Sequence, residues 1–199
     1  MELTEALRRR HMTRNFSGRP PGRVVVEALL AAAVRAPSAG NTQGREFVVL
    51  DGPDQTGVFW DATTDEAWRQ RSRRYPGLSR APVVVLPFAD PAAYVERYRQ
   101  PDKLPDDGTE VDWVVPYWYV DAAFAVMTLL LGATDAGVGA AFLGNFRGEE
   151  ALRKALGVPA GLRWLGAVLL GEAAEPDPPS SSAGRARRTV GDSVHRGRW

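Results

Sequence analysis

The stretch Arg35-Ala36-Pro37-Ser38-Ala39-Gly40-Asn41-Thr42-Gln43-Gly44 stands between a helical pattern and a strand-like one, and the reading of the chain turns on it. Upstream, residues 22–35 place Val26, Leu29, Leu30, Ala33 and Val34 at the spacing of one apolar helix face. Pro20 and Pro21 stand at the start of that helix. Ala36-Pro37 closes it, because the residue before a proline resists the helical region. Downstream, the apolar residues 46–50 read as a strand. The stretch between them is therefore a helix-to-strand loop. It presents amide, hydroxyl and small side chains, with one charge at Arg35. Such a surface can meet a flat, hydrogen-bonding ligand closely without leaving a charge unpaired. Pro, Ser, Gly and Asn also suit any turn, so the loop gains its weight from what surrounds it.

Composition narrows the classes. A chain of 199 residues suits one domain with insertions, and 44% hydrophobic residues leave ample material for a core. A net charge of +1 argues against general electrostatic capture of nucleic acid or an anionic membrane. The charge is uneven, because Arg185, Arg187, Arg188, Arg196 and Arg198 face only Asp192 near the end. The absence of cysteine excludes disulfides, thiol nucleophiles and thiolate metal sites. With only His11 and His195, a multi-histidine metal site within one chain is excluded, and no metal is expected. Residues 1–10 are polar and end in three arginines, unlike a signal peptide. The longest apolar run, 122–133, falls short of the about 20 residues that span a bilayer. The expectation is a cytoplasmic protein without nucleic-acid or membrane partners.

Along the chain, residues 2–11 read as a first helix and 59–74 as another, charged on one side with Trp60 and Trp68 on the other. Residues 83–87 are a β-branched run and read as a buried strand. The proline-rich, irregular segment 89–116 reads as an insertion or lid with a helical stretch. Residues 121–136 form the strongest helical pattern, with Asp121 in the first turn and Gly137 at the C′ position. That helix is apolar nearly all round, which points to burial in a subunit interface. Residues 139–144 and 164–171 read as strands and 149–156 as a short helix. Residues 175–184, rich in Pro, Ser and Asp, read as a tether. The arginines and Trp199 beyond it are placed to reach another subunit.

Several motifs can be set aside. Gly137-Val138-Gly139 lacks the third glycine of a dinucleotide fingerprint and lies between helix and strand in the inverted order. Residues 139–144 have phosphate-loop spacing, but Asn145-Phe146 follows where Lys-Ser/Thr is needed. No serine occupies a nucleophile elbow. Hard chemistry must then come from a cofactor.

Four segments carry the positive case: Arg10, Arg14 and Phe16; the loop with Ala36, Pro37, Ser38, Asn41, Gln43 and Phe47; the long helix and glycine-flanked strand over 121–144; and the arginine-rich end. In this order they resemble the nitroreductase family of FMN-dependent oxidoreductases, over nearly the whole chain. The resemblance implies an α+β fold with a central mixed or antiparallel sheet flanked by helices. It implies one FMN-binding domain over 1–199, in an intertwined homodimer whose C-terminal tails (175–199) cross onto the partner's sheet. It also implies that Arg10 meets the FMN phosphate together with Arg185 and Arg187 or Arg188, since a guanidinium fork matches phosphate oxygens. Arg14 would lie at the pyrimidine end of the flavin. His11 and Met12 would contribute through backbone and packing. Pro37, Ser38, Ala39, Asn41 and Gln43 would contact the cofactor, commonly across the dimer interface. Ala141, Phe142, Leu143 and Gly144 would lie along the isoalloxazine, with a backbone N–H near N5.

The same resemblance implies ping-pong hydride transfer from NAD(P)H through flavin N5 to a nitroaromatic, quinone or similar small-molecule electron acceptor. No protein acid or base is required, so no catalytic side chain is expected. Tyr117 and Trp118 would form a wall at the substrate side. A specialised biosynthetic flavin dehydrogenase or reductase, and a flavin-binding protein without turnover, are the alternatives. Three departures stand out: Ala39 replaces the family's second serine, Met12 a common serine, and Gly44-Arg45 a Pro-Trp pair. The first two imply weaker ribityl or ring contacts. The third puts a charge where an aromatic is usual.

Overall fold

The computed structural model describes residues 1–72, 75–104, 108–179 and 182–199. Helix α1 (Leu3–Arg9) and α2 (Arg23–Ala33) precede the loop, which contains a short 3-10 turn at Ala39–Asn41. Strand β1 (Arg45–Asp51) follows, then α3 (Pro53–Thr63), α4 (Glu66–Arg71), β2 (Val83–Ala89), α5 (Pro91–Tyr98) and α6 (Tyr117–Asp135). Strand β3 (Gly139–Gly144), α7 (Glu149–Leu156), β4 (Arg163–Trp164) and β5 (Gly166–Gly171) complete the order.

The sheet runs β1-β2-β5-β3, with β4 also on β2, and every pairing is antiparallel. Strand β2 lies inside it and is buried at all positions. Because side chains alternate across a strand, Val84, Leu86 and Phe88 join Phe59, Trp60, Leu152 and Trp164 on one face. Val83 and Val85 join Val26, Leu29, Ala125, Leu129 and Ala133 on the other. The result is three layers: α3 and α7, the sheet, then α2 and α6.

Three element boundaries differ from the sequence reading. The helix expected over 59–74 is two helices, and Arg73 and Arg74 lie outside the described residues. Pro53 opens α3 at a position where its missing N–H costs nothing. The break comes at Asp65, whose extended backbone and carboxylate, accepting from the Trp68 N–H at 2.5 Å, start α4 afresh. Helix α6 begins at Tyr117, a turn earlier than expected, so Asp121 is inside the helix and not in its first turn. At nineteen residues α6 is also long and apolar enough to cross a membrane by length and composition, which the 122–133 run did not suggest. Seven of its residues are buried within the fold. Its opposite side leaves Phe124 and Met127 exposed, and Leu3 and Leu7 of α1, which contacts α6, are exposed as well. The nearly all-round apolar character is thus only half accounted for by this chain.

The strand expected over 164–171 is interrupted. Val85 pairs with Val168 and Phe88 with Trp164, so three steps along β2 face four along its partner. The extra residue is a β-bulge at Gly166, whose φ of +141° favours glycine. A Cβ there would sit 2.2 Å from the Leu143 carbonyl oxygen. Beyond β5, Ala173 bridges Phe16. Residues 182–199 are exposed on this chain and form turns and bends.

Candidate functional site

The segment after α1 is clamped from two sides. On one, the Thr13 N–H donates to the Ala140 carbonyl at 2.8 Å, and the Phe142 N–H donates to Met12 Sδ at 3.4 Å. Gly139 permits this approach, because a Cβ there would lie 3.1 Å from the Thr13 side chain and 2.9 Å from the Gly171 carbonyl oxygen. On the other side, the Arg14 N–H donates to Asp177 Oδ1 at 2.9 Å, and Asn15 Nδ2 donates to the Pro176 carbonyl at 2.7 Å. Held this way, Met12 and Arg14 face a cavity of about 410 Å³ together with Ala141, Phe142, Leu143 and Gly144.

Aromatic rings build the far wall. Trp60 stands 5.7 Å from Trp68 and 4.8 Å from Phe59, and Tyr75, Trp164 and the exposed Phe146 complete the lining. Thr63, Thr64 and Ser72 add hydroxyl groups. The charged side chains that line the cavity, among the described residues, are Arg14 and Arg147. Arg14 Nη1 donates to the Met12 carbonyl at 2.9 Å, and its guanidinium lies 5.7 Å from the Tyr75 ring centre. Arg147 pairs with Asp65 at 3.1 Å. An apolar, flat-walled cavity with a cationic rim suits an aromatic ligand carrying electron-rich or anionic groups.

Strand β3 is an edge strand of this sheet, so alternate backbone groups face outward. Ala140 and Phe142 spend theirs on Thr13 and Met12, and by the two-residue period the Gly144 N–H turns to the same open edge, at the cavity. Arg10 closes α1 from outside the cavity lining. Its Nη1 is buried and has no hydrogen-bond partner among the described residues. His11 is exposed, with Nδ1 3.1 Å from the Arg9 carbonyl and Nε2 3.9 Å from Asp177.

The loop lies elsewhere and is braced from behind. The Gln43 N–H donates to Ser38 Oγ at 2.9 Å, Thr42 Oγ1 donates to the Ala39 carbonyl at 2.6 Å, and Arg97 Nε donates to the Gly40 carbonyl at 2.8 Å. Asn41 and Gln43 have φ of +52° and +59°, a region side-chain residues seldom occupy, and both are exposed. Pro37 is exposed and Ser38 and Ala39 are half-buried. Nearby, Trp113 packs edge-on against Tyr98, Tyr117 and Trp118, with centroids 4.7, 6.3 and 5.9 Å away. Tyr117 is exposed, whereas Trp118 is half-buried against Tyr94.

The structure therefore brings together Met12, Arg14 and residues 141–144. The loop residues 37–43, Tyr117, Trp118, Arg185, Arg187 and Arg188 do not line that cavity. Among the tail arginines, Arg188 donates to the Asp192 carbonyl. Sequence reasoning missed Trp60, Trp68, Tyr75, Phe146 and Arg147 as site residues. The only signal was the Trp60/Trp68 pair, which reads as core.

Residues 7–172 match the family model described as the Nitroreductase family. The chain belongs to the nitroreductase family. A relative from Archaeoglobus fulgidus, provisionally named an NADH dehydrogenase/NAD(P)H nitroreductase, is 29% identical and is matched over 99% of its length by the whole of this chain. The crystal structure of a nitroreductase family protein from Streptococcus pneumoniae TIGR4 shares the fold with a TM-score of 0.72 at 20% identity, over 98% of this chain and 100% of that one. A provisionally named nitroreductase from Desulfovibrio desulfuricans, solved in complex with FMN, aligns at 0.70 and 24% identity over 98% and 95% of the two chains. Against this family's patterns, two departures read differently in three dimensions. Met12 offers Sδ to the Phe142 N–H where a serine would offer a hydroxyl, and Ala39 acts through its backbone, whose N–H donates to Asp121 Oδ2 at 2.8 Å.

Proposed function

We propose that this member of the nitroreductase family is an FMN-dependent oxidoreductase that works as a homodimer on small electron-poor acceptors such as nitroaromatics or quinones. The observation that carries the reading is the cavity in which Met12 and Arg14 meet the open edge of β3 under aromatic walls. Its volume lies within the range of small-molecule sites. Arg10 Nη1, which has no hydrogen-bond partner among the described residues, supports a site for the cofactor's phosphate, because a buried guanidinium N–H is costly until an anionic oxygen reaches it. When bound, FMN would supply the redox chemistry, carrying electrons from NAD(P)H to the acceptor in a ping-pong cycle.

The chain's own residues bind and orient. Arg14, which lines the cavity, would place positive charge at the pyrimidine edge of the flavin. The Gly144 N–H offers a donor beside the ring, and the walls of Trp60 and Trp68 keep water from it. Ser38, Asn41 and Gln43 would reach the cofactor of the partner subunit, a reading supported by a loop that is braced from behind while Asn41 and Gln43 are exposed on this chain. The exposed Phe124 and Met127, with Leu3 and Leu7, form the apolar face that a second copy covers. The exposed tail extends to that copy and brings Arg185 and Arg187 or Arg188 to its phosphate site.

The visible spectrum of the purified protein, recorded anaerobically before and after NADPH or NADH, tests the reading. Flavin absorbance that either nucleotide bleaches is expected. A colourless protein that FMN does not reconstitute would refute it. A yellow protein that neither nucleotide bleaches would refute the NAD(P)H-dependent reductase and leave a flavin-binding protein of another kind.

A further inference from the structure

Asp121 is only 3% exposed and sits inside the apolar helix α6. Burying a carboxylate there is unfavourable unless donors reach it. Two do, both at Oδ2: the Tyr94 hydroxyl at 2.6 Å and the Ala39 N–H at 2.8 Å. Tyr94 is itself fully buried, and its ring lies where a Cβ on residue 44 would come within 2.6 Å. The Asp121–Tyr94 pair therefore holds the loop at both ends, Ala39 by a hydrogen bond and Gly44 by close packing. Burial, and then the bond to Asp121, push the Tyr94 hydroxyl well above its ordinary pKa, so it remains a donor. Between these two anchors Asn41 and Gln43 keep a left-handed backbone, which persists only where the surroundings over-determine it.

We propose that Asp121 is the positioning residue of the flavin-facing loop, fixing through Ala39 and Tyr94 where Ser38, Asn41 and Gln43 point. This rests on the proposed flavin site. Asp121 touches no cofactor; it acts through the loop. A single oxygen accepts both donors, and an asparagine carbonyl can do the same.

The test is a double-mutant cycle on FMN affinity, read by fluorescence quenching in the full-length protein. Asp121→Asn is expected to stay within about threefold of wild type. Asp121→Ala, with native circular dichroism and subunit mass, is expected to weaken FMN roughly tenfold or more. Asn41→Ala should weaken binding in the wild-type background and add little in the Asp121→Ala background, because the loop is no longer placed. If Asp121→Ala does not fold, Tyr94→Phe takes its place in the cycle, removing one donor while keeping the ring. Equal Asn41→Ala effects in both backgrounds, or unchanged affinity on losing the Asp121 contacts, would overturn the positioning role alone. A wild-type chain that binds no FMN would overturn the proposed function and this role with it.

Discussion

Replacing Gln43 by glycine separates what the loop costs the fold from what it contributes to binding. A left-handed backbone costs a residue with a side chain roughly 1–2 kcal/mol, and Gln43 at φ +59° bears that cost. Glycine removes it but gives back roughly 0.5–1 kcal/mol by freeing the unfolded chain. The expected net gain is about 0–1.5 kcal/mol, or roughly 0–6 °C in Tm for a chain of this size. The brace to Ser38 Oγ at 2.9 Å uses only the backbone N–H of residue 43 and survives the change. The exposed amide does not. Losing one neutral hydrogen bond to the flavin, about 0.5–1.5 kcal/mol, should raise the FMN Kd about 2- to 13-fold. Calorimetry on the apoprotein gives the first effect free of ligand linkage, and flavin fluorescence gives the second. Stability must hold or rise while affinity falls, so a Tm at or above that of the wild type accompanies a higher Kd. A lower Tm would mean that the left-handed backbone is not a strain at this site, and an unchanged Kd would mean that Gln43 does not face the cofactor. Asn41 provides a scale, because asparagine tolerates the left-handed region better than glutamine and its glycine variant should gain less.

Arg10→Ala should weaken FMN about 10- to 150-fold, the weight of a charged hydrogen bond of roughly 1.5–3 kcal/mol, while leaving riboflavin, which has no phosphate, unaffected in the same titration. Equal loss for both ligands would remove Arg10 from the phosphate site. Gly166→Ala places a Cβ 2.2 Å from the Leu143 carbonyl oxygen at φ +141°, and should destabilise the protein by roughly 2–5 kcal/mol in denaturant unfolding. An unchanged midpoint would show that the bulge can relax.

The sequence was legible where a local pattern decides the outcome. The run Val83-Val84-Val85-Leu86 is apolar on both faces, and β2 is buried on both faces. Gly148 and Gly157, at φ +74° and +67°, bracket α7 at the bounds its pattern suggests. Legibility failed where two local preferences compete. Pro116-Tyr117-Trp118-Tyr119 is a poor helical sequence by propensity, yet Trp118 packs on Tyr94 and Trp113, and that contact recruits a further turn to α6. Thr64-Asp65 interrupts a continuous amphipathic pattern because Asp65 is worth more as a cap than as a helical residue. The bulge at Gly166 shifts pairing by one residue, which no periodicity within the strand reveals.

In the site, residue types were legible and partners were not. A tryptophan that lines a cavity and one that fills a core carry the same sequence signal, so Trp60 and Trp68 read as packing. Asp121 shows the same limit for a polar residue. Taken with its neighbours alone it suits the first turn of a helix, where the dipole favours a carboxylate. Its actual partners lie 82 and 27 positions away, at Ala39 and Tyr94. Those partners also give the Gly44-Arg45 departure a physical reason. Gly44 leaves room for the Tyr94 ring that Asp121 holds, and Arg45 turns inward, where it donates to the carbonyl of Val34 at the end of α2. The charge that replaces the family's aromatic therefore does not meet the ligand-facing side of the loop. It braces the helix that delivers the loop, and the substitution belongs to the support of the site and not to its surface.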